Sequence, residues 1–252
     1  MLAALTCPAD ELFEMIPDCP IDLVPSMLKN PALVGGHLIQ LLKRRDLPEE
    51  LVKVICKLPV SAADHSVQVA LSRHPNIPGA QLLSILPNLY LFELLNLCIL
   101  PEMTPDHKLA AERIIIQRLP QIPLGNKLTL ARRATSAILE ALVKEGDTRT
   151  LDACLSNPRL KEGAVYQFLR SGKADAESIS MIARSQRWQH RPNIREAILT
   201  NPKTPLVWFV LWLPAMKAGD LKRIASSSRL TAAQRKAVEE RLNGRSHRHT
   251  SV

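Results

Sequence analysis

Apolar residues recur along this chain in short helical bursts, and the bursts tend to end at proline. Leu, Ile, Val and Ala fall at i, i+3, i+4 spacing over 79–87, 89–100 and 105–118. The pattern returns over 162–170, 175–184 and 193–199, and again over 205–216, 220–226 and 231–242. No stretch alternates with the period of two that a half-buried strand requires. Helix starts are marked as well. Thr104 precedes Pro105, Asp46 stands three residues before Glu49, and Thr231 with Gln234 forms a capping box; Ser61, Asp147 and Asp175 are further N-cap candidates. The run 206–213 is apolar on every side, which predicts a helix covered from several directions.

The prolines themselves recur. An apolar helix end, polar or cap-like residues and then proline occur at Asn30-Pro31, His74-Pro75, Gln117-Arg118-Leu119-Pro120, Asn157-Pro158 and Asn201-Pro202, with spacings of 44, 45, 38 and 44 residues. Pro75, Pro120 and Pro202 each have a second proline three residues on. Asn tolerates the left-handed conformation that ends helices. Proline cannot continue a helix, and it pushes the preceding residue out of the α region. A second proline suits the first turn of the next helix. Each motif therefore predicts a helix–corner–helix joint. Leu28, Leu71, Leu155 and Leu199, just before their corners, are expected to be buried at equivalent positions. The expected layout is a capping segment over 1–20, repeats over 21–242 and a disordered tail over 243–252.

Composition agrees with an all-α reading. The chain has 252 residues with 46% hydrophobic, 19 Pro and only 9 Gly. Its net charge of +9 is uneven: residues 1–120 carry 13 acids and 10 bases, residues 121–252 carry 11 acids and 23 bases. A one-sided basic field points to an acidic partner or to simple solubility. Five widely spaced Cys, with no C-x-x-C, argue against a disulfide framework and for the reducing cytoplasm. The N-terminus lacks a basic region followed by a long apolar one, so no secretory signal is expected, and the apolar stretch 84–100 is interrupted by Pro87, Asn88, Glu93 and Asn96, which excludes a membrane span there.

Units of about 43 residues with short helices and N-P-x-[T/L]-P corners, together with helix starts such as Asp220-Leu221, resemble the bacterial HEAT-like, armadillo-like and leucine-rich-repeat-variant families. The resemblance covers roughly 20–242. It implies an all-α solenoid, a superhelix of about five such units, that binds macromolecules along a surface.

Catalytic signatures are missing from the sequence: there is no G-x-G-x-x-G, P-loop, H-E-x-x-H or G-x-S-x-G. Gly35-Gly36 reads as a helix-start turn, and His247 with His249 as a solvated tail rather than a metal site. No cofactor and no metal is expected. The densest feature is Arg184, Arg187, Trp188, Arg191 and Arg195, four Arg and a Trp within 12 residues. Arg can grip phosphate or carboxylate with two bonds, and Trp188 can stack on a base, anchor a protein interface or simply fill the core. Lys222 and Arg223 form a second basic pair, beside Lys43-Arg44-Arg45 and Arg132-Arg133. The expected function is a non-enzymatic scaffold binding a protein partner. The alternative is nucleic-acid binding by the basic half; a more distant one is a HEAT-like DNA glycosylase, for which Trp188, Trp208, Trp212 and Asp220 would have to form the site.

Overall fold

The computed structural model describes residues 2–249 as backbone and 4–243 with their side chains. Every regular element among them is helical, and the chain divides into two compact units, Met1–Pro120 and Gln121–Val252. The first contains α1 (Leu2–Thr6), α2 (Ala9–Met15), α3 (Val24–Met27), α4 (Gly35–Leu41), α5 (Glu49–Cys56), α6 (Pro59–Ala63), α7 (His65–Ser72), α8 (Gly79–Ile85), α9 (Leu91–Ile99) and α10 (Pro105–Arg118). The second contains α11 (Leu124–Arg133), α12 (Ser136–Glu145), α13 (Thr148–Ser156), α14 (Glu162–Arg170), α15 (Ala176–Arg184), α16 (Pro192–Leu199), α17 (Leu206–Trp212), α18 (Ala218–Ala225) and α19 (Ala232–His249). The starts at Thr104, Asp147, Asp175 and Thr231 are made as expected, each side chain accepting from a first-turn N–H. Two expected caps are not. Asp46 pairs instead with Arg44 at 2.8 Å, and Ser61 lies inside α6 with its hydroxyl donating to Ile55 O.

Within each unit many helices lie against the neighbour two places along, beside close pairs of consecutive helices such as α9 with α10, α12 with α13 and α18 with α19. In the second unit α11 touches α13, α12 touches α14, α13 touches α15, α14 touches α16 and α17 touches α19. In the first, α1 touches α3 and α2 touches α4, while the short α6 and α7 together pack on α4. Leu28, Leu71, Leu155 and Leu199 are all buried, as are the single apolar stripes of α13, α14 and α15.

The corners explain this packing. Asn30, His74, Asn157 and Asn201 are buried, and each makes two kinds of bond with one side chain. The acceptor atom takes the N–H two residues on, at Ala32, Asn76, Arg159 and Lys203. The donor atom crosses to an earlier helix end, two helices back for Asn30 (to Ala4 O and Cys7 O), Asn157 (to Ala131 O) and Asn201 (to Leu169 O), and three back for His74 (to Arg44 O). The Ala4, Ala131 and Leu169 carbonyls are among the last of their helices, which have no partner within the helix itself, and those of Cys7 and Arg44 lie just past the ends of α1 and α4. The expected left-handed corner is absent: among the described residues Gly146, at φ 82°, alone has positive φ. The corner is held by side-chain bonds rather than by backbone inversion.

Three expectations are revised by these contacts. Leu119-Pro120 is not a fifth corner. Like Leu86-Pro87 and Leu213-Pro214, it forms a one-turn 3-10 segment that closes a helix, with a buried Leu that has no polar atom to offer. Side-chain bonds between successive layers span 23 to 33 residues, so contacts recur every two helices rather than every ~43 residues. Arg44, Arg118, Arg187 and Gln234 bridge the joints that lack the Asn/His–Pro signature. Finally, α19 runs past Leu242 and through Gly244 to His249, because one Gly costs a helix only about 1 kcal/mol. The last three residues of the expected tail, and the side chains of His247 and His249, lie outside the described residues.

His74 gives a pH test of the corner. Burial holds its ring below the usual imidazole range; the nearby Arg45 charge adds to this, and the bond to Arg44 O opposes it. The unfolded ring, titrating near 6.5, takes up a proton that the folded ring refuses. The contribution of His74 to stability should therefore be level above about pH 7 and fall by up to about 1.4 kcal/mol per unit as pH drops through 6.5, then level off below the folded value. Urea unfolding of wild type and His74→Asn at several pH values measures this. The difference in slope between the two should vanish above pH 7, and an identical pH dependence for both would show that His74 is not buried neutral.

Candidate interaction surface

The basic cluster is divided between structure and solvent. The loop after α15 carries Arg187, whose guanidinium donates to Asn157 O, Pro158 O and Leu160 O, the corner of α13 two helices earlier. It also lies 4.4 Å from the Trp188 ring centroid. Trp188 is buried and its indole N–H donates to Leu155 O at 3.2 Å. Arg195 donates twice to Gln189 O and packs over Trp212, 5.0 Å from the ring centroid. These three hold the long loop against α13 and α17.

The remaining members are exposed. Arg184 turns back to Ser180 O on its own helix. Arg191 faces Glu162 at 3.9 Å, and Arg223 bridges Glu196 and Asp220 at 2.9 and 3.0 Å. Lys222 is exposed beside it. A cleft of about 400 Å³ lined by Glu162, Gly163, Tyr166, Asn193 and Glu196 opens here, yet both carboxylates already have Arg partners. The aromatic set considered for glycosylase chemistry is built into the packing: Trp208 donates to Ser180 Oγ, Trp212 is buried, and Asp220 pairs with Arg223.

The feature that sequence reading missed is the bare face of α17. Its seven residues are all apolar, and coverage on several sides was expected. One side is covered: Phe209, Trp212 and the following Leu213 are buried. The other is open, with Leu206 46%, Val207 53%, Val210 70% and Leu211 59% exposed. Positions 206, 207, 210 and 211 fall on one side of an α-helix, so these four form a continuous patch. Single exposed apolar residues mean little. A contiguous apolar patch is often functional. A groove of about 300 Å³ runs beside it, lined by Phe209, Val210, Leu213, Pro214, Ala237, Glu240 and Arg241. Hydrophobicity all round, read as deep burial, was the signal that could have revealed the face.

The chain matches no protein-family model, no curated protein and no solved structure.

The division of the cluster is testable. Arg187→Ala strands three carbonyls and should lower the unfolding free energy by about 2–4 kcal/mol, since bonds from charged donors are the stronger kind. Arg191→Ala, at an exposed 3.9 Å pair, should change it by less than about 0.5 kcal/mol. Urea titration of both variants checks this, and equal losses would contradict the structural role of Arg187.

Proposed function

We propose that the chain is a non-enzymatic scaffold of the HEAT/armadillo kind, each compact unit a stretch of α-solenoid, working as a protein-binding platform in the cytoplasm. The observation that carries the reading is the bare apolar face of α17 with its adjoining groove. Burying four such side chains against a partner gives a favourable free energy at about 25 cal/mol per Å² of apolar area removed from water, and leaving them in water gives none. Packing of many helices on the second one along supports the repeat assignment, because neighbouring layers then cover one another while chosen helices remain open on the outside. No helix among the described residues is long and apolar enough to cross a membrane.

The basic half gives the nucleic-acid reading less support, because Arg187 and Arg195 bond carbonyls and Arg191 and Arg223 face carboxylates. Affinity purification of wild type and Val210→Asp from source cells, with and without nuclease, tests the proposal. Proteins retained after nuclease by wild type and lost with Val210→Asp are the expected result. Retention that disappears with nuclease, or that Val210→Asp leaves unchanged, would contradict it.

A further inference from the structure

We infer that the groove between α4 and α7, in the first compact unit, receives a short acidic segment of a partner protein, with one large apolar side chain set between carboxylates. The groove is not part of the α17 face, so this inference stands or falls independently of the reading given for that helix. Two observations set the chemistry. The first is the lining. A groove of about 250 Å³ is lined by Ile39, Leu42, Lys43, Arg45, Ala70 and Arg73. Ile39, Leu42 and Ala70 supply its apolar part and are buried or half-buried, whereas Lys43, Arg45 and Arg73 are exposed. No carboxylate lines the groove among the described residues. The helix ends explain why the cations gather. The helices α4 and α7 pack together, and they end at Leu41 and Ser72, so the basic residues that follow each end meet at one place. Helix C-termini favour such cations, but the heads keep their charge. The Lys43 ammonium donates to Gln40 Oε1 at 2.8 Å, an uncharged partner. Arg45 donates to Arg73 O at 3.4 Å and meets Glu102 at 3.0 Å, with both side chains of that pair 56% exposed. Exposed pairs contribute little, so an incoming carboxylate can replace Glu102.

The second observation is the charge around the groove. Residues 1–120 carry 13 acids and 10 bases, and four of those bases, Lys43, Arg44, Arg45 and Arg73, stand at these two helix ends. Arg44 is spent on Asp46, Ile16 O and Cys19 O. The other three leave one small basic spot on a unit that is otherwise acidic. A nucleic acid needs a basic track along its row of phosphates, and the acidic surroundings repel a long polyanion. A short peptide needs only a local match. Arginine takes a carboxylate with two parallel bonds, and an apolar side chain removes Ile39, Leu42 and Ala70 from water. An apolar residue flanked by Asp or Glu satisfies the floor and the rim together.

The test uses the full chain. A displayed library of short random peptides is selected on wild type, and the winners are titrated against wild type, Arg73→Gln and Arg73→Glu. Both changes are exposed, and urea unfolding checks that the variants fold. The expected winners carry Asp or Glu on both sides of a large apolar residue. Their binding should weaken about threefold on Arg73→Gln and about tenfold or more on Arg73→Glu, with losses that shrink in high salt. Replacing the apolar residue of the peptide by Ser, a change that cannot disturb the folding of the protein, should weaken binding by about tenfold. Winners that are neutral or basic, or that bind Arg73→Glu as well as wild type, would overturn the site. Acidic winners indifferent to the Ser replacement would overturn the anchored segment, since charge alone would then hold them. If no peptide is enriched, the inference fails. Displacement of the winners by oligothymidylate, itself no longer bound by Arg73→Glu, would overturn the protein partner and reassign the groove to nucleic acid.

Discussion

Helices this short create a polar problem, and its solution fixes the architecture. Each helix ends in carbonyls with no partner inside the helix, and here many ends are buried by the next layers. A buried carbonyl left unpaired costs about 1–3 kcal/mol. The protein meets the demand at eight places by sending a donor back to an earlier joint: Asn30, His74, Asn157 and Asn201 at the proline corners, Arg44, Arg118, Arg187 and Gln234 elsewhere. The same bonds set the distance and the rotation between layers, so apolar stripes meet their counterparts. Proline follows four of these residues because the chain must leave the helix at once if the side chain is to turn inward.

Much of the helix pattern was legible in the sequence. Thr104, Asp147, Asp175 and Thr231 announced their helices, and Leu28, Leu71, Leu155 and Leu199 announced the buried side. The spacing of the crossing bonds was not legible, because Arg and Gln perform at some joints what Asn and His perform at others. A guanidinium reaching three carbonyls and an amide reaching one look unrelated in a linear text. Leu119-Pro120 misled for the opposite reason: it shares the proline but lacks the polar side chain that gives the corner its meaning.

The candidate site was the least legible part. Arginine density over 184–195 drew attention as a ligand-binding signal, yet Arg187 and Arg195 brace the loop around buried Trp188 and Trp212. The apolar run of α17 suggested concealment, yet half its circumference faces water. Both inversions have one cause. Arg is the longest flexible donor available and so is suited to buried carbonyls as well as to phosphate. An all-apolar helix is compatible with burial in its own fold or in a partner's, and composition alone does not separate the two.

The claim that donors crossing between layers hold the fold can be tested by native-state hydrogen exchange on Asn201→Ala. That side chain links its own corner to Leu169 O at the end of α14, 32 residues away. If the crossing bond matters, amides in the last turn of α14 and around 201–206 should lose protection together, while those of α11 and α12 keep theirs. Loss confined to 201–206, with α14 unchanged, would mean that the corners only shape their own loops and that apolar packing alone aligns the layers.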